Sequence, residues 1–251
     1  MTFANGQGTI EGSHTYADNG IYNISIELTD PTGNTAVSTT TATISNVAPA
    51  LVPAVDQSVD QGAELSLAVA SFTDPGFTDA IAGSTESFTA TIDWGDGTIS
   101  TGVISTTPGA VGVLTTGSVA GNHTYSVPGS YTVQVTVADD DGGSSSTSFA
   151  VDVADIPASL GPIDSISADE GAEVALQANF TDLPSDGTYS ATIDWGDGTT
   201  ADATIVFADG SGTISASHIY ADNGTYGITV ELTDPAAVSY THLTLPTICS
   251  V

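Results

Sequence analysis

Thr91-Ile92-Asp93-Trp94-Gly95-Asp96-Gly97-Thr98 recurs as Thr192-Ile193-Asp194-Trp195-Gly196-Asp197-Gly198-Thr199. Upstream of each copy, apolar residues take every second place: Phe88, Ala90, Ile92 and Trp94 in the first, Tyr189, Ala191, Ile193 and Trp195 in the second. That is the period of a half-buried strand, and it aims each Trp at a core. The Gly-Asp-Gly that follows permits positive φ, so the chain can reverse directly after its bulkiest side chain is buried.

Working outward, a His-x-Tyr follows each turn, His123-Thr124-Tyr125 and His218-Ile219-Tyr220, and a third stands near the start as His14-Thr15-Tyr16. Phe3 to Pro31 align without gaps to Phe207 to Pro235, with 20 of 29 positions identical. The two Trp motifs lie 101 residues apart, about half the spacing of that alignment, so the chain is an array with a period near 100 residues. On this period, residues 1–48 are the C-terminal half of a repeat, 49–157 a complete repeat, and 158–237 a repeat without its last strand. Tyr22, Ile24, Ile26 and Leu28 form the alternating face of the partial unit. Half a sandwich cannot bury its inner faces, so this piece is expected to be open or to lean on its neighbour.

Three signatures in order carry a family resemblance: the Trp-Gly-Asp-Gly turn, then His123-Thr124-Tyr125-Ser126-Val127-Pro128-Gly129-Ser130-Tyr131-Thr132-Val133, then Asp139-Asp140-Asp141-Gly142-Gly143. The chain resembles the polycystic kidney disease (PKD) repeat over most of residues 1–237. The resemblance implies an all-β fold of tandem immunoglobulin-like β-sandwiches. It also implies extracellular protein or carbohydrate contacts, in surface adhesins or in accessory modules of secreted hydrolases. Independently, the abundance of Thr, Ser, Val, Ile and Gly and the absence of any helix-period stretch point to β structure.

Composition bounds the partners. The chain has neither Lys nor Arg against 30 acidic residues, a formal charge of -30. It cannot neutralise phosphates, so nucleic acid, heparin-like polymers and anionic membrane surfaces are poor partners, and no nucleic-acid partner is expected. Nucleotide chemistry that needs a P-loop Lys is excluded as well. No run of 18 or more apolar residues is present to insert into a membrane as a helix. A saline or calcium-rich setting follows from the unpaired charge, which dissolved cations screen over about 8 Å at physiological salt.

The third repeat changes character after Pro235. Val238-Ser239-Tyr240-Thr241-His242-Leu243-Thr244-Leu245-Pro246-Thr247 resembles the translation of a transposon-end sequencing adapter, and residues 238–251 are therefore expected to be non-native. Cys249, the one cysteine, lies in that tail, so the chain forms no internal disulfide.

For chemistry, Gly-x-Ser-x-Gly and His-Glu-x-x-His are both missing. His14, His123 and His218, with Tyr16, Tyr125 and Tyr220, hold one repeat position and are assigned a structural role. The Tyr is expected to tie a turn through its hydroxyl, as a tyrosine corner does. Asp93, Asp96, Asp194 and Asp197 are expected to cap their own turns. Asp139, Asp140 and Asp141 repel one another unless a cation is near and are the candidate calcium ligands; no cofactor is otherwise required. Trp94 and Trp195 face inward, which counts against a sugar-stacking platform.

The resulting expectation is a non-enzymatic spacer or adhesive stalk, extracellular or at a bacterial cell surface, whose partners are neighbouring repeats and extracellular protein or polysaccharide. The alternative is a carbohydrate- or matrix-binding module of a secreted hydrolase.

Overall fold

The computed structural model describes residues 2–4, 7–183, 187–235 and 239–249, and among them every regular element is a strand. Two compact units are present. One gathers residues 1–56, 66–122 and 132–150, and the other 57–65, 123–131 and 151–251.

The N-terminal stretch contributes two ribbons to the first unit. β1 (Thr2–Ala4) pairs with β2 (Gln7–Thr9), and β3 (Gly20–Thr29) pairs with β4 (Thr35–Ile44) along their whole lengths. Ile24, Ile26 and Leu28 are 37%, 40% and 45% exposed, so the alternating face of β3 is open.

The complete repeat is a sandwich of two sheets. One has the order β10 (Val103–Thr107), β11 (Thr115–Thr124), β7 (Glu64–Asp74), β5 (Ala50–Pro53). The other runs β6 (Gln57–Asp60), β13 (Ser144–Ala154), β12 (Gly129–Asp139), β8 (Phe88–Asp93), β9 (Ile99–Thr101). Alternation explains the two faces: in β8, Ala90 and Ile92 are buried while Thr89, Thr91 and Asp93 are exposed. β11 lies in the glycine-rich middle of the repeat for a packing reason. A Cβ on Gly117 would overlap the ring of Phe72, a residue 2% exposed.

The third repeat, in the second unit, repeats the plan. Its sheets are β14 (Ser159–Leu160), β16 (Glu173–Thr181), β20 (Ser211–Ile219), β19 (Thr204–Ala208), and β15 (Ser167–Ala168), β22 (Ser239–Cys249), β21 (Thr225–Thr233), β17 (Ser190–Asp194), β18 (Thr200–Asp202). β16 alternates strictly, with Val174, Leu176, Ala178 and Phe180 buried between exposed neighbours. Those four join Ile193, Trp195, Ile214, Tyr220, Val230 and Leu232 in one apolar core. Gly212 stands against Phe180 as Gly117 does against Phe72.

The backbone of Ser239–Cys249, within the stretch whose sequence reads as an adapter, takes the last-strand position beside β21. Ala236, Ala237, Val238, Ser250 and Val251 lie outside the described residues.

Candidate functional site

The two Trp motifs are built alike. Trp94 N donates to Thr98 O at 3.0 Å and Trp195 N to Thr199 O at 3.1 Å, which closes each turn. Asp93 Oδ1 accepts from Gly95 N at 3.0 Å, and Asp96 Oδ1 from Thr98 N at 3.0 Å. Asp194 and Asp197 make the same bonds to Gly196 N and Thr199 N, both at 2.9 Å. These carboxylates therefore serve the backbone of their own turns. Gly95 and Gly97 have φ of 81° and 91°, and Gly196 and Gly198 76° and 92°, which a side chain would strain. Each Trp is 1% exposed.

The histidines sit edge-on against their own tyrosines. Centroid separations are 4.7 Å for His14–Tyr16 and 4.6 Å for both His123–Tyr125 and His218–Tyr220, with interplanar angles of 86°, 89° and 89°. His218 also stacks on Trp195 at 5.0 Å and its Nε2 lies 2.8 Å from Asp197 Oδ2. Asp197 is held down at about 2 by the Thr199 hydroxyl first, against partial desolvation, and then by His218. These contacts join one strand to the next.

Two sets of tyrosines tie turns through their hydroxyls. Tyr131, Tyr226 and Tyr22 make the short upstream tie, donating to Val127 O at 2.8 Å, Asp222 O at 3.1 Å and Asp18 O at 3.0 Å. Tyr220 ties the Trp-Gly-Asp-Gly turn, donating to Trp195 O at 2.8 Å, 25 residues back. The reason is geometric: Tyr220 points inward at 1% exposure, whereas Tyr226 lies over it, stacked at 4.2 Å, with its hydroxyl above the turn. The recurrence of Tyr22, Tyr131 and Tyr226 six residues after Tyr16, Tyr125 and Tyr220 is the signal that marks them in the sequence.

The one group among the described residues with three convergent potential metal ligands is Glu86, Asp140 and Asp141, each offering a carboxylate oxygen within 4.8 Å of the others. Asp139 is occupied elsewhere. Its Oδ1 accepts from Asp141 N at 3.1 Å and Gly143 N at 2.7 Å, and its Oδ2 from Asn46 Nδ2 at 2.9 Å. Glu86 and Asp74, which the sequence did not single out, replace it. Asp74 is 2% exposed; Oδ1 accepts from Gly76 N at 2.7 Å, and Oδ2 has no partner. A Cβ on Gly76 would overlap Glu86 Oε2 and stand 3.0 Å from Asp74 Oδ1, so both carboxylates face one point. Gly76 is pinned by Thr115 Oγ1, which donates to its carbonyl at 2.7 Å. A cleft of about 150 Å³ opens here between Glu86, Asp141, Gly76, Asp18, Asn19 and Asn46.

The charge of this cluster is uncompensated. Burial, then Asp74 and the Asp139–Asp141 run, push Glu86 up to about 7. Burial also raises Asp74, with Asp139, Asp141 and Asp140 adding to the effect. Asp141 is raised by loss of hydration and then by Asp18. A smaller group marks the same place in the third repeat, where burial and Asp234 raise both Asp155 and Asp182, the latter opposed by the Tyr189 hydroxyl. There Gly187 occupies the Glu86 place and Pro235 follows Asp234, so the three-carboxylate set is not repeated.

The PKD domain family model matches residues 51–152. No curated protein sequence matches the chain. Among solved structures the chain is similar to an I-band fragment of titin (TM-score 0.46, 14% identity, 95% of this chain and 77% of that one). It is also similar to the D1–D4 ectodomain fragment of ICAM-5 (TM-score 0.44, 10% identity, 92% and 61%). A third similar structure is that of the extracellular cadherin domains 1–5 of protocadherin gamma B2 (TM-score 0.32, 11% identity, 93% and 51%).

Proposed function

We propose that this chain is a non-enzymatic spacer or adhesive stalk of an extracellular, bacterial surface or secreted protein. One observation carries the reading: the partial repeat is hydrogen-bonded to the complete repeat rather than joined through a free linker. Phe77 N donates to Ala17 O at 3.0 Å, and Asn46 Nδ2 to Asp139 Oδ2 at 2.9 Å. Such ties hold successive modules in a set relation, which a load-bearing or distance-setting array requires. Further support comes from the motif residues themselves, whose described bonds go to turns and strand-to-strand contacts. Burial of Trp94 and Trp195 removes the aromatic platform that a sugar-binding module would present. Many weak contacts held at high local concentration then supply the adhesion.

Single-molecule pulling of the chain tests this. Stepwise unfolding is expected, each step releasing about 350 Å for a repeat of about 100 residues. A saturable interaction with a polysaccharide, abolished by changing one surface of the complete repeat, would favour the accessory-module alternative. Gradual extension without steps would sink the stalk reading.

A further inference from the structure

We infer that Glu86, Asp140 and Asp141, backed by the buried Asp74, form a binding site for a hard divalent cation of the calcium class, at the place where the partial repeat meets the complete one. Two oxygens bound to one calcium ion at 2.3–2.6 Å stand no more than about 5 Å apart. The three carboxylates meet that limit at 4.8 Å in the ion-free geometry. Asp74 is the independent observation. A carboxylate 2% exposed, with one oxygen lacking any partner, is costly to keep ionised unless a positive charge stands close. The chain offers no Lys or Arg for the purpose, so the carboxylate is either protonated or balanced by a bound ion.

The donor chemistry selects the ion. All ligands are oxygens, which excludes thiolate- and imidazole-preferring metals. They come from two loops, the one before β8 and the β12–β13 turn, with Asp74 behind them at the end of β7. Calcium accepts six to eight oxygens in irregular arrangement, whereas magnesium demands a near-ideal octahedron. Asp140 Oδ1 accepts from Ser87 N at 3.2 Å, which ties that side chain to the residue next to Glu86. Asp18 and Asn19 of the partial repeat line the same cleft as Glu86 and Asp141, so an ion here is shared across the junction. That consequence, a cation-stiffened joint, rests on the stalk reading; the ion site does not.

The test titrates the full chain, stripped with chelator, with calcium chloride in a calorimeter at constant ionic strength. One saturable site is expected, weakened at least tenfold in the triple variant Glu86→Gln, Asp140→Asn, Asp141→Asn. A control triple at exposed positions far along the chain, Asp164→Asn, Asp202→Asn, Glu231→Gln, should keep it. Equal heats in the native chain and the first triple would overturn the site, as would no saturable heat in the native chain. Terbium luminescence excited through tyrosine gives a second reading that needs no variant, since Tyr16 lines the same cleft. Emission displaced by calcium is expected, and absence of sensitised emission would equally overturn the site. A chain that unfolds in repeat-sized steps yet takes up no calcium would remove the ion and leave the stalk.

Discussion

Ala201→Ser should stabilise the third repeat. In the complete repeat, Trp94 Nε1 donates to Ser100 Oγ at 2.9 Å. Ser100 pairs with Ile92 across β8–β9, and Ala201 holds the same register place opposite Ile193 across β17–β18. Trp195 is 1% exposed and its Nε1 has no partner. A serine hydroxyl at 201 therefore restores the acceptor that its sister repeat possesses. A made hydrogen bond contributes about 1 kcal/mol net, and ending the burial of an unmet donor accounts for about 1–3 kcal/mol. Since Ala201 is only half-buried, the lower end applies, about 1 kcal/mol. For a domain of about 100 residues that corresponds to a rise of about 4–8 °C in Tm. Differential scanning calorimetry would show the third-repeat transition moving up, and hydrogen exchange at the Trp195 indole would slow. Ser100→Ala should lower the other transition by a similar amount. An unchanged Tm and unchanged indole exchange in the Ala201→Ser chain would refute the reasoning.

Other outcomes follow from the same geometry. Gly196→Ala places a Cβ into Gly227 O at a φ of 76°, and should cost roughly 2–4 kcal/mol, seen as loss of the third-repeat transition. Asp197 has its folded pKa held down at about 2, below its ordinary 3.8, so its stabilisation is present above about pH 4 and lost as pH falls toward 2. Urea midpoints over that window should fall less steeply in Asp197→Asn than in the native chain; parallel curves would contradict the assignment. Amplification of source DNA across codon 237 is expected to give a continuation different from Val238 onward, and recovery of the same codons would make the tail native.

What could be read in the sequence was local. Asp93 bonds an amide two residues away, Trp94 follows a period-two run, and Gly95 needs its φ because the turn closes within five residues, so short motifs carry these facts whole. The acidic site was only half legible for the opposite reason. Asp140 and Asp141 are adjacent and drew notice, but Asp74 and Glu86 reach them only because β7 and the loop before β8 converge on one end of the sandwich. Asp139 looked equivalent to its two neighbours, yet its place at the end of β12 turns its carboxylate onto Gly143 N and Asn46. The tyrosine corner had a visible spacing, but choosing between two tyrosines six residues apart required knowing which ring lies beneath.

One indole stands at the same depth in each of two repeats, and there is no other Trp in the chain. Trp94→Phe and Trp195→Phe would therefore leave two single-tryptophan chains, in which the colour of indole emission reports the opening of one repeat at a time. The array carries its own strain gauges, and the light from Trp195 is read against His218, whose ring lies nearly flat on the indole at 5.0 Å.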